Sequence, residues 1–96
     1  MEKRYWVYIV CDKPYGTLYT GVTGYISRRA QQHKDGSVDG FTKTYGLKKL
    51  VFSEEYPTAL EAITREKRIK KWNRSWKIQL IETINPTWRD LYDELP

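Results

Sequence analysis

Tyr5-Trp6-Val7-Tyr8-Ile9-Val10-Cys11, then Asp12-Lys13-Pro14-Tyr15-Gly16, then Thr17-Leu18-Tyr19-Thr20-Gly21-Val22-Thr23 are the three consecutive stretches whose reading decides the fold. The first is β-branched and aromatic, the composition of a buried strand. The second is dense in turn residues, and the third reads as the strand that returns from a hairpin. Strand alternation puts Trp6, Tyr8 and Val10 on one face, and Thr17, Tyr19 and Gly21 on one face of the second strand. Whether Tyr8 and Tyr19 point the same way depends on the hairpin register, which the loop does not settle. A slip of one residue would separate them.

Beyond the hairpin, Ile26, Ala30 and His33 recur at helical spacing, so helix replaces strand over 25–33. Residues 34–46 contain three glycines and no sustained periodicity, which predicts a loop with one helical turn around 41–45. Residues 50–54 form a third short strand. Thr58 and Glu61 match a capping box, with Pro57 just ahead and good helix formers through Trp72. A further helix is expected over 75–84, stopped by Asn85-Pro86. The order β-β-α-β-α-α predicts an α+β fold, an α/β sandwich with a small three-stranded mixed sheet and flanking helices.

A chain of 96 residues is expected to be a single domain, 1–96, with one core. Its apolar content of 40% and charged content of 30% describe an ordered globular protein rather than a disordered tail. No apolar run approaches the roughly 18 residues of a membrane span, and the first residues lack the apolar stretch of a signal peptide. Cys11 is the only cysteine, which excludes an internal disulfide and a multi-cysteine metal site. A cytoplasmic location is the simplest expectation. The net charge of +5 favours polyanions, since phosphate contacts supply most non-specific nucleic-acid affinity. The charge is also clustered: residues 61–80 hold seven basic side chains against two acidic ones.

Polar residues interrupt two apolar helix faces. At about 100° per residue, Ala59, Ala62 and Ile63 define the apolar face of the Thr58 helix, and Glu66 falls within it. An inward carboxylate needs a metal, a cation or a proton. On the wheel alone, a buried ion pair or a simple N–H acceptor explains Glu66 slightly better than catalysis does. In the earlier helix, Ile26, Arg29, Ala30 and His33 share one stripe while Arg28 lies off it. A lone histidine is more often a satisfied partial-core residue than a catalyst. An Arg, a His and a Glu that converge form either a structural ion network or an anion-handling site.

Val7-Tyr8-Ile9, followed by Tyr19-Thr20-Gly21, resembles the paired motifs that name the GIY-YIG nuclease superfamily. Arg29, His33 and Glu66 follow at the family's spacing. The closest resemblance is to its short, stand-alone bacterial members, which share a Gly-Phe-Thr-Lys-type stretch such as Gly40 to Tyr45, a Glu-Ala-x-x-x-Glu-Lys helix, a Lys-Lys-Trp segment and an Asn-Pro-x-Trp-x-Asp-Leu ending. The eponymous first glycine is absent, and Thr20 replaces the isoleucine of the second motif. Many members carry an asparagine after the catalytic glutamate. Asn73 and Asn85 are both candidates here, and neither spacing assigns the role.

The resemblance implies a metal-dependent endonuclease. Glu66 would be the sole protein ligand of one Mg²⁺ or Mn²⁺ ion, with waters and a phosphate oxygen completing its shell. Arg29 would neutralise charge on the scissile phosphate, and Tyr8 or Tyr19 would activate water with help from His33. The sequence does not choose between the tyrosines. Lys43, Arg65, Arg68, Lys70, Lys71 and Arg74 are the expected nucleic-acid contacts, with DNA favoured over RNA. Recognition should read backbone or structure, and a partner or dimer could still supply specificity. The rival reading is a non-catalytic nucleic-acid-binding domain of the same fold. Retention of all five polar positions argues against it.

Overall fold

A computed structural model describes residues 3–38 and 40–95. Strand β1 (Tyr5–Cys11) lies between β2 (Leu18–Thr23) and β3 (Lys49–Tyr56), giving a sheet of order β2-β1-β3. Both pairings are antiparallel, so the sheet expected to be mixed is antiparallel throughout these strands. The reason is topological. The helical connection from β2 to β3 does return the chain in the same direction, but β1 separates the two strands and no parallel pair forms.

That connection carries α1 (Ile26–Asp35) and the single turn α2 (Phe41–Thr44). Gly36 ends α1 in the left-handed conformation at φ 70°, where its own N–H and that of Ser37 reach back to the His33 and Gln32 carbonyls. After β3 come α3 (Ala59–Lys71) and α4 (Arg74–Ile84), and a short 3₁₀ turn covers Tyr92–Glu94. The first half of the expected capping box forms, with the Thr58 hydroxyl accepting from the Glu61 N–H at 3.2 Å, and the Glu61 carboxylate lies 2.9 Å from that hydroxyl.

Alternation along β1 feeds two apolar layers. Val7, Ile9 and Cys11 pack with Ala62 and Ile69 of α3, Ile81 of α4 and Trp88. Tyr8 and Val10 face the other way, onto Ile26 and Ala30 of α1 with Leu47, Leu50 and Leu91. A bulge in β3 serves both layers. Ile9 pairs with Phe52 while Val10 pairs with Leu50, and the skipped Val51 joins Phe52 in the first layer.

The wheel for α3 needs correction. Ala62 and Ile69 are buried but Ile63 is exposed, so the packed stripe runs through Ala62, Glu66 and Ile69. The two asparagines both serve the fold. Asn73 caps α4, accepting from the Trp76 N–H at 3.0 Å. Asn85 is fully buried and donates to the carbonyls of Val51 at 3.1 Å and Arg89 at 2.8 Å, while accepting from the Arg89 N–H at 3.1 Å. With Asp90, which accepts from the Leu50 N–H and pairs with Lys34, it fastens the end of the chain across β3.

Candidate active site

The hairpin register brings the two tyrosines to one face. Tyr8 pairs with Gly21 and Val10 with Tyr19, so Tyr8, Val10, Tyr19 and Gly21 all point toward α1. Tyr8 is the more enclosed at 1% exposure, and its ring crosses directly over Gly21. A Cβ on Gly21 would lie 2.4 Å from the Tyr8 hydroxyl. That glycine is the space the phenol occupies.

The stripe on α1 completes the cluster. His33 is buried, with Nε2 3.1 Å from the Tyr8 hydroxyl, and Arg29 donates to the same hydroxyl at 3.4 Å. The Tyr19 ring lies 6.3 Å from the imidazole, centroid to centroid. Burial, reinforced by the Arg29 charge, lowers the His33 pKa to about 4, so the ring is neutral at physiological pH. With its proton on Nδ1, the neutral ring offers a lone pair at Nε2 and Tyr8 can donate to it. The Nδ1 atom has no hydrogen-bond partner among the described residues. Burial raises the Tyr8 pKa, and Arg29 opposes that shift through its hydrogen bond and its charge.

Glu66 arrives from the other layer. Its helix packs through Ala62 and Ile69 on the face opposite α1, but α3 also packs against β2, the edge strand. Its side chain is 13% exposed and pairs with Lys70 at 3.2 Å. The Lys70 ammonium sits 5.5 Å from the Tyr19 ring centroid, and the Glu66 charge contributes to raising the Tyr8 pKa. The flank of α3 bearing Glu66 and Lys70 therefore reaches the tyrosines around the β2 edge. Four of the five expected site residues share one face of the sheet, and the fifth meets them at its rim.

Glu66 is a lone carboxylate. Among the described residues no group of three or more His, Cys, Asp or Glu side chains could hold a metal. What the residues offer is one hard oxygen donor already facing a cation, the Lys70 ammonium. That donor set suits a hard divalent ion bound mainly through water and substrate oxygens, and it does not suit a soft metal.

The expected nucleic-acid contacts divide into two groups. Arg65 bonds Glu54 at 3.0 Å and lies over the Trp72 ring, and Arg74 donates to the carbonyls of Tyr15 and Gly16 in the hairpin loop. Both guanidiniums thus have partners within the chain. Lys43, Arg68 and Lys71 are exposed, and Lys70 belongs to the site itself. One neighbour of the site was read in the sequence only as a nucleic-acid contact, and another escaped it. Lys70 was legible as the residue one turn after Glu66, but Phe41, 6.4 Å from the Tyr19 ring, depends on a loop path that no periodicity announces.

Residues 4–79, which contain all five site residues, match the GIY-YIG catalytic domain family. The chain belongs to the GIY-YIG family. Its relatives include a UPF0213 protein of Staphylococcus saprophyticus, 40% identical over 81 residues, spanning 84% of this chain and 96% of that one. A UPF0213 protein of Staphylococcus epidermidis is 37% identical and spans 85% and 98%. Among solved structures, the solution structure of a UPF0213 protein from Bacillus halodurans superposes with a TM-score of 0.57 at 30% identity, covering 91% of this chain and 92% of that one. The GIY-YIG family is one of nucleases, which makes nucleic acid the substrate class of the fold. No helix among the described residues is long and apolar enough to cross a membrane.

Proposed function

We propose that this protein is a divalent-metal-dependent endonuclease, acting as a single cytoplasmic domain and cutting DNA in preference to RNA. The observation that carries the reading is the Tyr8 hydroxyl, held at once by His33 and Arg29 and lying within reach of the Glu66 charge. Nothing in the packing of a small α+β core calls for that convergence, and phosphodiester hydrolysis uses each member.

In this reading Glu66 would hold one Mg²⁺ or Mn²⁺ ion, which when bound supplies charge neutralisation at the phosphate and at the leaving oxygen. Arg29 binds a non-bridging phosphate oxygen and offsets the charge that grows there as water attacks; such a donor is typically worth about 10²–10³ in rate. Tyr8 is the proton relay. As the water oxygen bonds to phosphorus, its proton passes to the Tyr8 oxygen and the Tyr8 proton passes to Nε2 of His33. The P–O bond to the leaving group breaks, the departing oxygen takes a proton from solvent, and His33 returns the relayed proton to solvent to close the cycle. A concerted relay suits a phenol whose burial opposes free ionisation. The bound phosphate raises the basicity of His33 above its level in the empty site. Tyr19 orients the water or the phosphate, and Lys70, which pairs with Glu66, would be free to turn to the phosphate with Glu66 committed to the ion. Lys43, Arg68 and Lys71 extend the backbone contacts.

The test is cleavage of supercoiled DNA, forked DNA and RNA with and without Mg²⁺ or Mn²⁺. Metal-dependent nicking that is lost in Tyr8→Phe and Arg29→Ala is the expected result. Salt-sensitive binding without turnover on every substrate would leave the non-catalytic nucleic-acid-binding domain in its place.

A further inference from the structure

An aromatic series leads outward from the candidate site. The Tyr8 ring lies 5.4 Å from His33, His33 lies 6.3 Å from Tyr19, Tyr19 lies 6.4 Å from Phe41, and Phe41 lies 4.7 Å from Tyr45, all between ring centroids. Burial falls along the series: Tyr8 is enclosed, Tyr19 is half-buried, and Phe41 and Tyr45 are 47% and 56% exposed.

The exposure of the last two is built into the chain. They stand four residues apart, on one side of the single turn α2. Thr42 and Leu47 are the residues that bury themselves beneath the turn, and the Leu47 N–H bonds the Thr42 carbonyl at 2.9 Å. The segment is therefore anchored by its small and aliphatic members while its two large rings face solvent. Scattered exposed aromatics are ordinary, but two adjacent rings continuous with a catalytic tyrosine form a surface. The neighbouring charge is positive. Lys70 lies over the Tyr19 ring, and Lys43 is exposed on the same turn.

We propose that Phe41 and Tyr45 form a stacking platform for an unpaired nucleobase next to the scissile phosphate. This rests on the nuclease reading above and deepens it by naming the form of substrate. Every nucleobase presents a flat π face, and stacking on aromatic side chains is tolerant of sequence. A base within a duplex has both faces covered by its neighbours and cannot use the platform. The strand engaged here is therefore single-stranded, or locally splayed, on the Tyr45 side of the cut. The proximity of Tyr19 to both the platform and His33 places the phosphate of the stacked nucleotide near Arg29 and Lys70.

Fluorescence anisotropy tests this with a labelled oligothymidylate, an oligouridylate and a hairpin duplex, all in EDTA so that no strand is cut. The wild-type protein should bind the single strands more tightly than the duplex. Phe41→Ala and Tyr45→Ala should each weaken single-strand affinity on the order of tenfold while leaving duplex affinity unchanged. Phe41→Tyr and Tyr45→Phe, which keep a ring, should bind like the wild type. Equal losses on thymidylate and uridylate would mean that the platform ignores both the 2′-hydroxyl and the thymine methyl, and a loss on one alone would still support stacking while showing that one of those two groups is read. Alanine variants with wild-type single-strand affinity, or with equal losses on duplex, would overturn the proposal. Should the alanine variants fail to fold by circular dichroism, Phe41→Leu and Tyr45→Leu keep apolar bulk without the flat face and carry the same expectation. No metal or turnover enters the measurement, so a failure here leaves the cleavage assay standing, and the reverse holds as well.

Discussion

Gly21 and His33 are the residues at which the site makes its sharpest physical demands. A methyl group at position 21 would meet the hydroxyl, Cζ and Cε1 of Tyr8 at 2.4–2.8 Å, too close for a ring held between β2 and α1 to absorb without moving. Gly21→Ala should cost about 1–3 kcal/mol of stability, as overpacking does. The cost should shrink in a Tyr8→Ala background, where the ring is gone, so thermal melts of the double-mutant cycle check the contact directly. His33 makes a pH prediction. Its pKa is about 4 in the fold against an ordinary 6.5, so between those values the unfolded chain holds the extra proton. Stability should be full above about pH 6.5 and decline as pH falls toward 4, by at most ~3 kcal/mol. Melts at stepped pH should show this decline flattened in His33→Gln, and parallel curves would contradict it. The resemblance to the GIY-YIG motifs is what singled out Tyr8, Tyr19, Arg29, His33 and Glu66 in the sequence, with the last three also marked by their place on helix faces. Their geometry was not legible, because the common face of the tyrosines depends on a register that pairs Tyr8 with Gly21, and register is a property of two strands together.

Among the elements, the helices that carry their own start signals read most clearly. Thr58 with Glu61 announced α3 to the residue, whereas α4 begins at Arg74 because Asn73 caps it. The two asparagines should separate by stability. Asn73→Ala removes an exposed cap and should cost about 1 kcal/mol. Asn85→Ala leaves the buried carbonyl of Val51 and the Arg89 N–H without their partner, so it should cost about 2–4 kcal/mol. Denaturant titration of both variants checks the order, and equal losses would mean that the C-terminal fastening is weaker than its bonds suggest. The sheet was less legible than the helices. A helical link between two strands suggests a parallel neighbour, yet sequence carries no signal that β1 stands between them. Glu66 shows the same limit. The wheel placed it inward correctly, but only the path of α3 past the β2 edge brings it to tyrosines on the opposite face.

For the whole molecule, the net charge of +5 favours holding a polyanion, and the proposed five-residue site would govern the chemistry done on it. The logarithm of duplex affinity should fall linearly with the logarithm of salt concentration, at about −0.9 per phosphate neutralised. Charge removal at Arg68 or Lys71, which are exposed, should shallow that slope by about one unit per lost contact. Arg65→Ala should act on stability as well, since Glu54 loses its cation and, among the described residues, keeps only the Tyr56 hydroxyl. A slope that is flat in the wild type would mean that the basic helices are merely solvated. The nuclease proposal turns on Glu66 serving chemistry rather than packing, and its partner makes that testable. Glu66 pairs with Lys70, which is 45% exposed and can return to water, so removing the carboxylate strands no buried charge. The decisive experiment is metal-dependent cleavage by Glu66→Ala, read alongside its melting temperature and its nucleic-acid affinity in EDTA. The expected outcome is a folded protein with near-native melting, unchanged or slightly tighter binding through the loss of one negative charge, and no cleavage. A folded Glu66→Ala protein that cuts at the wild-type rate would sink the catalytic role of this carboxylate.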